Sequence, residues 1–260
     1  MKEKILNSLK QIEVREQVKI IYACESGSRA WGFPSQDSDY DVRFIYVRPI
    51  DWYLSIFNKR DVIEMPINEM LDINGWDLRK ALNLFRKSNP PLMEWLESPI
   101  VYSSNEPIIS GLRNLAGSTF SPRACTYHYL HMAKGNFREY LQGETVKIKK
   151  YFYVLRPILA CQWIMQYGTM PPMEFEQLVD TLLSDQGELR AAIQQLLARK
   201  KAGDELDYEP RIGIISEFIE AKLAYFEQQA ALKPQAGEDQ AEQLDELFRS
   251  IVKQVWLTAD

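Results

Sequence analysis

Two aspartates one residue apart, Asp39 and Asp41, run straight into the strand-like segment Val42-Arg43-Phe44-Ile45-Tyr46-Val47. In an extended chain with a period of two, Asp39, Asp41 and Arg43 share one face while Tyr40, Val42 and Phe44 share the other. The two carboxylates then stand roughly 6–7 Å apart along the backbone and can converge on metal ions between them. Hard cations such as Mg²⁺ take oxygen ligands of this kind. A turn role suits Asp37 but not Asp41, because a carboxylate set inside an apolar strand is costly unless something partners it.

A second chemical feature lies just upstream. The apolar run of residues 18–24 reads as a buried strand and passes directly into Glu25-Ser26-Gly27-Ser28. Gly27 lets the backbone approach a ligand closely, and Ser28 offers a hydroxyl. Residues 28–31 can open a short helix whose free N–H groups favour an anion, which makes the turn a candidate phosphate cradle. Small residues at a strand exit also serve as a plain tight connection, and the turn alone does not choose between the two. Further along, Leu71-Asp72-Ile73 sets another carboxylate among apolar neighbours. Two-metal phosphoryl-transfer sites use a third carboxylate to hold metal or to take the proton of the attacking hydroxyl, and Asp72 and Asp77 are the candidates for it. Asp77 directly precedes the helical pattern that starts at Leu78, where it complements the helix dipole, so Asp72 is assigned the chemistry.

The combination of Gly27-Ser28 with Asp39-Tyr40-Asp41 resembles the signature of the DNA polymerase beta-like nucleotidyltransferases. More closely, Gly27-Ser28-Arg29-Ala30-Trp31-Gly32 together with Ser38-Asp39-Tyr40-Asp41-Val42-Arg43 is similar to the predicted nucleotidyltransferases associated with RNA ligase and RNA repair, a bacterial and phage group. The likeness extends through residues 71–82 and 88–96. It implies an α+β protein with an N-terminal mixed-sheet nucleotidyltransferase core and a C-terminal helical domain. It also implies that Asp39, Asp41 and Asp72 are catalytic and hold two Mg²⁺ ions, with Mn²⁺ as a substitute. Gly27, Ser28, Arg29, Arg43, Lys150 and Tyr153 would contact the nucleoside triphosphate, and the acceptor hydroxyl would belong to an RNA end or another acceptor. A nucleotide-binding, antitoxin-like or regulatory member with little turnover is the alternative. A two-metal nuclease accounts for the carboxylates but not for the Gly-Ser turn.

The elements that must position these residues follow from pattern. At 260 residues and 46% hydrophobic content the chain can bury a sizeable core. A formal net charge of −5 excludes a global basic field, so a nucleic-acid partner has to meet a local patch. Cys24, Cys125 and Cys161 are widely spaced, odd in number and lack metal-ligand spacing, which reads as reduced core residues of a cytoplasmic protein. No apolar run reaches bilayer length, and the first residues lack a signal-peptide core, so no membrane partner is expected.

Ile5, Leu6, Leu9 and Ile12 predict a helix over residues 2–17 that covers one sheet face. After the acidic strand come a short helix at 52–57, strands at 61–64 and 68–73, a helix at 78–87, another at 92–97, and an extended piece at 99–102. Residues 103–122, rich in Ser, Asn, Gly and Pro, mark the expected boundary between a front domain, 1–118, and a helical domain, 119–260. Helical patterns fill 123–141, 146–167, 173–183, 189–201, 212–232 and 241–257, with a polar linker at 233–239. Pro157 should kink or restart the helix that it interrupts. Lys150, Tyr153 and Arg156, spaced by three, form one strip, which the resemblance turns toward the triphosphate and which a solvated helix face explains equally. His128 and His131 have no third ligand nearby and read as packing or substrate contacts.

Overall fold

A computed structural model of the chain describes residues 1–67, 70–230 and 240–257. Contacts divide it into two units, Met1–Ala30 with Asp39–Thr119 and Glu238–Asp260, and Trp31–Ser38 with Phe120–Gly237. In chain order the first holds α1 (Lys2–Glu16), β1 (Lys19–Ser26), α2 (Gly27–Ala30), β2 (Tyr40–Val47), α3 (Ile50–Tyr53), β3 (Val62–Glu64), β4 (Leu71–Asp77), α4 (Leu78–Arg86), α5 (Pro90–Leu96), β5 (Val101–Ser104) and α6 (Glu106–Thr119). The second holds α7 (Pro122–Tyr140), β6 (Thr145–Lys147), α8 (Lys150–Tyr167), α9 (Phe175–Leu182), α10 (Gly187–Ala202), β7 (Tyr208–Pro210) and α11 (Gly213–Ala230), after which α12 (Ala241–Leu257) belongs to the first.

The expected α+β class holds, with a mixed five-stranded sheet in the first unit ordered β3-β4-β2-β1-β5. The β2–β4 pair is parallel and its neighbours are antiparallel. Alternation along β2 sets Val42, Phe44 and Tyr46 into one apolar cluster with Ile5, Leu9 and Ile12 of α1, so α1 covers that face as its spacing predicts. Asp41 and Arg43 point to the other face, as does Trp76 of β4, which stacks on Trp95 of α5 with ring centroids 3.9 Å apart. Gly75 pairs with Phe44, and a Cβ placed on it would lie 2.2 Å from the Phe44 ring. A glycine is required there because the ring occupies the space where a side chain would stand.

At the far end of β4, Asp77 caps α4: its Oδ1 accepts from the Arg79 N–H at 2.8 Å and its Oδ2 from the Tyr53 hydroxyl at 2.8 Å. This is the helix-terminus role read from the sequence. Leu78, Ala81, Leu82 and Phe85 bury the face of α4 that their spacing marks.

Several expectations change, among them the short helix, which is Ile50–Tyr53 and not 52–57. The strand drawn at 68–73 instead runs Leu71–Asp77, and its first two residues lie outside the described ones. The segment 103–122, expected as a boundary, contains α6, which buries Ile108, Ile109 and Leu112. Its proline, Pro107, sits in the first turn, where a missing N–H costs nothing, and a Cβ on Gly111 or Gly117 would meet nothing within 4 Å, so both glycines lie on open helix surface. The contacts divide at Thr119, one residue past the expected boundary, but residues 31–38 fall in the second unit and α12 in the first. The Tyr53 and Phe248 rings, 4.9 Å apart, join α12 to α3. Finally, α8 continues through Pro157 without restarting there. It is buried on almost every side, and that packing offsets the hydrogen bond the proline removes. The linker at 233–239 lies outside the described residues.

All three cysteines are buried and none forms a disulfide. Among the described residues no helix is long and apolar enough to cross a membrane.

Two stability measurements test this frame. Gly75→Ala should cost on the order of 1–3 kcal/mol through overpacking against Phe44, read by urea denaturation. Burial pushes the Asp77 carboxyl from 3.8 up to about 6, against the pull of Tyr53 and Arg79. A group raised in the folded state contributes stability that is complete below its unfolded value and is lost as pH rises through its folded value. Asp77→Asn keeps an acceptor at the cap but cannot titrate, so the wild type should lose stability relative to the variant between pH 4 and 6, by on the order of 2 kcal/mol, in unfolding curves taken across that window.

Candidate functional site

The sheet registers bring the acidic residues to one place. Asp41 pairs with Ser26 across the antiparallel β1–β2 ladder and with Asp72 across the parallel β2–β4 ladder. The chain turns out of β1 at Gly27, whose φ of +61° lies in the left-handed region. A Cβ there would stand 2.1 Å from Asp41 Oδ2, so the Asp41 carboxylate lies directly against the backbone of the turn. Both the dihedral and the contact call for glycine. Ser28 follows in α2.

Arg43 sits between the two carboxylates. Its Nη2 donates to Asp41 Oδ1 at 3.1 Å and to Asp72 Oδ2 at 2.8 Å, and its Nη1 donates to the carbonyl oxygens of Val42 and Asp72, each at 3.1 Å. The Asp41 and Asp72 side chains remain 29% and 30% exposed, so they are accessible to a ligand while held in place. Two carboxylates on neighbouring strands thus converge on one cationic nitrogen. This is the charge arrangement and the hard-oxygen chemistry that a divalent cation takes, so the donor set fits Mg²⁺ or Mn²⁺.

Asp39 stands one step before β2 and is exposed. Arg29 fixes its backbone, donating Nε–H to the Asp39 carbonyl at 3.2 Å while its guanidinium stacks 3.7 Å from the centre of the Tyr40 ring. Among the described residues no three His, Cys, Asp or Glu side chains are grouped as metal ligands, so Asp39 is not gathered with Asp41 and Asp72 into one cluster. Asp77 is about five residues along β4 from Asp72 and takes no part.

Lys150 and Tyr153 belong to the second unit, where the Lys150 ammonium lies 4.2 Å from the Tyr140 ring centre and 4.8 Å from that of Tyr153. Arg156 leaves the expected strip: it is 2% exposed, its guanidinium lying 4.7 Å from the Trp31 ring. A helix enclosed on nearly all sides turns the third residue of a three-residue repeat into the core. His131 lies beside Tyr127, ring centroids 6.5 Å apart, and both are exposed.

Glu25 is a functional residue that the sequence reading passed over. It is fully buried, its Oε1 accepts the Asp41 backbone N–H at 2.8 Å, and its Oε2 accepts the Tyr102 hydroxyl. The Ser98 hydroxyl donates to its carbonyl at 2.6 Å. Burial raises its carboxyl above the ordinary range, while the Tyr102 and Asp41 hydrogen bonds oppose the rise. Glu25 therefore positions the Asp41 backbone from beneath. The signal was present, since a glutamate closing an apolar strand needs partners.

A glycine turn packed against carboxylates on adjacent strands of a mixed sheet defines a nucleotidyltransferase-like protein of the polymerase beta type. The chain belongs to the RNA repair pathway DNA polymerase beta family (RlaP), whose family model matches residues 1–250. It is 54% identical over 256 residues to an uncharacterized protein, YcgL, of Bacillus subtilis (strain 168), covering 98% of both chains. It is also similar to a solved nucleotidyltransferase-like protein from Exiguobacterium sibiricum 255-15, at 10% identity and a TM-score of 0.35, over 95% of this chain and 89% of that one.

The contact between Gly27 and Asp41 can be measured as a coupling. Gly27→Ala should destabilise the protein by about 2–4 kcal/mol, combining a positive φ with the clash. Adding Asp41→Ala removes the clashing carboxylate, so the double variant should recover at least about 1 kcal/mol relative to additivity. Strict additivity in urea denaturation would show that the two residues do not touch.

Proposed function

We propose that this protein is a Mg²⁺-dependent nucleotidyltransferase that moves a nucleoside monophosphate from a nucleoside triphosphate to an acceptor hydroxyl, with an RNA end as the acceptor. The observation that carries the reading is the convergence of Asp41 and Asp72 on one cationic point directly beside the Gly27 turn. Asp41 and Asp72, together with Asp39, which stands outside their cluster in this structure, are the residues that would hold the metal ions, which when bound would neutralise charge on the transferred phosphoryl group and on the leaving pyrophosphate.

The chain's own residues do the rest. Gly27 has no side chain, so the Asp41 carboxylate can lie against the turn, and the Ser28 hydroxyl beside it can donate to the β- and γ-phosphates. Arg43 reaches both carboxylates through Nη2 and offers charge-assisted contacts to phosphate oxygens at the same point. Asp72 takes the proton of the acceptor hydroxyl as its oxygen bonds to the α-phosphorus, and the bond from that phosphorus to the pyrophosphate oxygen breaks. Arg29 and Glu25 keep the backbone around Asp39 and Asp41 fixed while this happens, the first from the solvent side and the second from the interior. The family's RNA-repair association supports an RNA acceptor.

A second reading draws on Arg43, which already offsets part of the charge of Asp41 and Asp72. A site so compensated could bind nucleotide with little turnover, as an antitoxin-like or regulatory member would. Calorimetry showing triphosphate binding, with no pyrophosphate released across a panel of RNA, protein and small-molecule acceptors, would select it.

Asp39→Ala and Asp41→Ala should each lower Mg²⁺-dependent triphosphate turnover by about 100-fold or more while far-UV circular dichroism stays unchanged. Turnover equal to wild type in either variant sinks the proposal. The assay follows pyrophosphate release with labelled nucleotides and RNA ends.

A further inference from the structure

The first unit holds a second polar cavity, of about 470 Å³, at the opposite end of β4 from the carboxylates. Asp72 lies at the start of that strand and Asp77, which lines the cavity, at its end. Five residues of strand separate the two by roughly 16 Å. The cavity is therefore a different place from the site of the proposed reaction, and its size falls within the range of small-ligand sites, about 300–1,000 Å³.

Its walls are chemically distinct. One is the face of α4 with Lys80 and Asn83, continued by Lys87, at spacings of three and seven that align them in a single stripe. The other is the segment carrying Trp52, Lys59 and Asp61. Lys80 is tied into the wall by Asp61, Nζ to Oδ1 at 3.1 Å, and Arg79 by the Tyr53 carbonyl at 3.2 Å. Lys59 and Lys87 are exposed, and among the described residues neither has a carboxylate partner. Some exposed lysines elsewhere do have one, as in Lys134 with Glu227 or Lys201 with Glu176.

Four cations, Lys59, Arg79, Lys80 and Lys87, stand here against two carboxylates, Asp61 and Asp77, a surplus of two positive charges in a chain of net charge −5. The Lys59 ammonium lies 5.7 Å from the centre of the half-buried Trp52 ring, so a cation and an aromatic plane adjoin. The amides of Asn58 and Asn83 offer both donors and acceptors beside them.

We propose that this cavity binds a nucleotide, as a free mononucleotide or as one residue of a single-stranded nucleic acid. Trp52 stacks the base, Lys59 and Lys87 pair with the phosphate, and Asn58 and Asn83 bond the edges of base or ribose. A planar aromatic group joined to an anion is the chemistry that satisfies the ring and the unmatched lysines together.

The test uses the full-length chain with Asp39→Ala, in EDTA, so that the outcome does not depend on whether the carboxylates turn over a triphosphate. AMP is titrated by calorimetry and a fluorescein-labelled ten-nucleotide single-stranded RNA by anisotropy. At least one probe should bind, and Lys59→Glu with Lys87→Glu should weaken that binding by about tenfold or more, at an unchanged melting temperature. For the RNA, the salt dependence should fall by about 0.7 per lysine removed. Trp52→Phe, which keeps a ring, should weaken binding less than the double charge reversal. Binding of AMP assigns the site to a free nucleotide, and binding of RNA alone assigns it to a strand. Failure of both probes to bind, or binding that the double variant leaves unchanged, overturns the proposal.

Discussion

The head of the sheet depends on one crowded point, where the Asp41 carboxylate lies against Gly27 and shares Arg43 with Asp72. That point exists only if two ladders agree. The antiparallel register sets Asp41 opposite Ser26 and the parallel register sets it opposite Asp72. A slip of one residue in either ladder would turn Asp41 into the α1 face, where Val42, Phe44 and Tyr46 are buried, and leave an aspartate in hydrocarbon. The apolar face thus fixes the register, and the register fixes the chemistry on the other side.

Once in register, the carboxylates still repel each other, and Arg43 resolves this from within the same strand. It reaches Asp41 two residues before it and Asp72 on the neighbouring strand, and its second nitrogen bonds two backbone carbonyls. A lysine could supply the charge but not the fork. Beneath, Glu25 and Tyr102 hold the Asp41 N–H, so the strand is fastened through its backbone as well as through its side chain. A carboxylate pair kept partly exposed is therefore rigid without being shut away from solvent, which is what a ligand-binding acidic site needs.

Much of this was legible in the chain because it is local. Asp41 inside an apolar strand, Gly27 at a strand exit and Asp77 before an amphipathic helix each violate or satisfy a rule that works over a few residues, and the structure places all three accordingly. What escaped depends on contacts distant in sequence. Glu25 gains its meaning from Tyr102, 77 residues away, and Gly75 from the Phe44 ring packed over it. The assignment of residues 31–38 to the second unit rests in part on Lys200, whose Nζ donates to Ser35 Oγ at 2.6 Å across 165 residues. Composition misled at α6, where glycines on an open face and a first-turn proline imitate a loop while three apolar residues hold a helix.

Asp72 and Asp77 show why residue type alone could not divide the roles along β4. Both are aspartates near apolar neighbours, on one strand. Asp77 is wholly buried, its oxygens taken by the Arg79 N–H and the Tyr53 hydroxyl, and burial raises its carboxyl to about 6. Such a group is committed to fixing the start of α4. Asp72 is 30% exposed and meets the Arg43 guanidinium in place of a helix terminus, so its carboxylate stays accessible to a ligand. A carboxylate serves chemistry when its partners can be exchanged for a ligand, and it serves structure when they cannot. On that criterion the two ends of a single seven-residue strand separate, and the partly exposed carboxylate is the one that the parallel ladder sets beside Asp41.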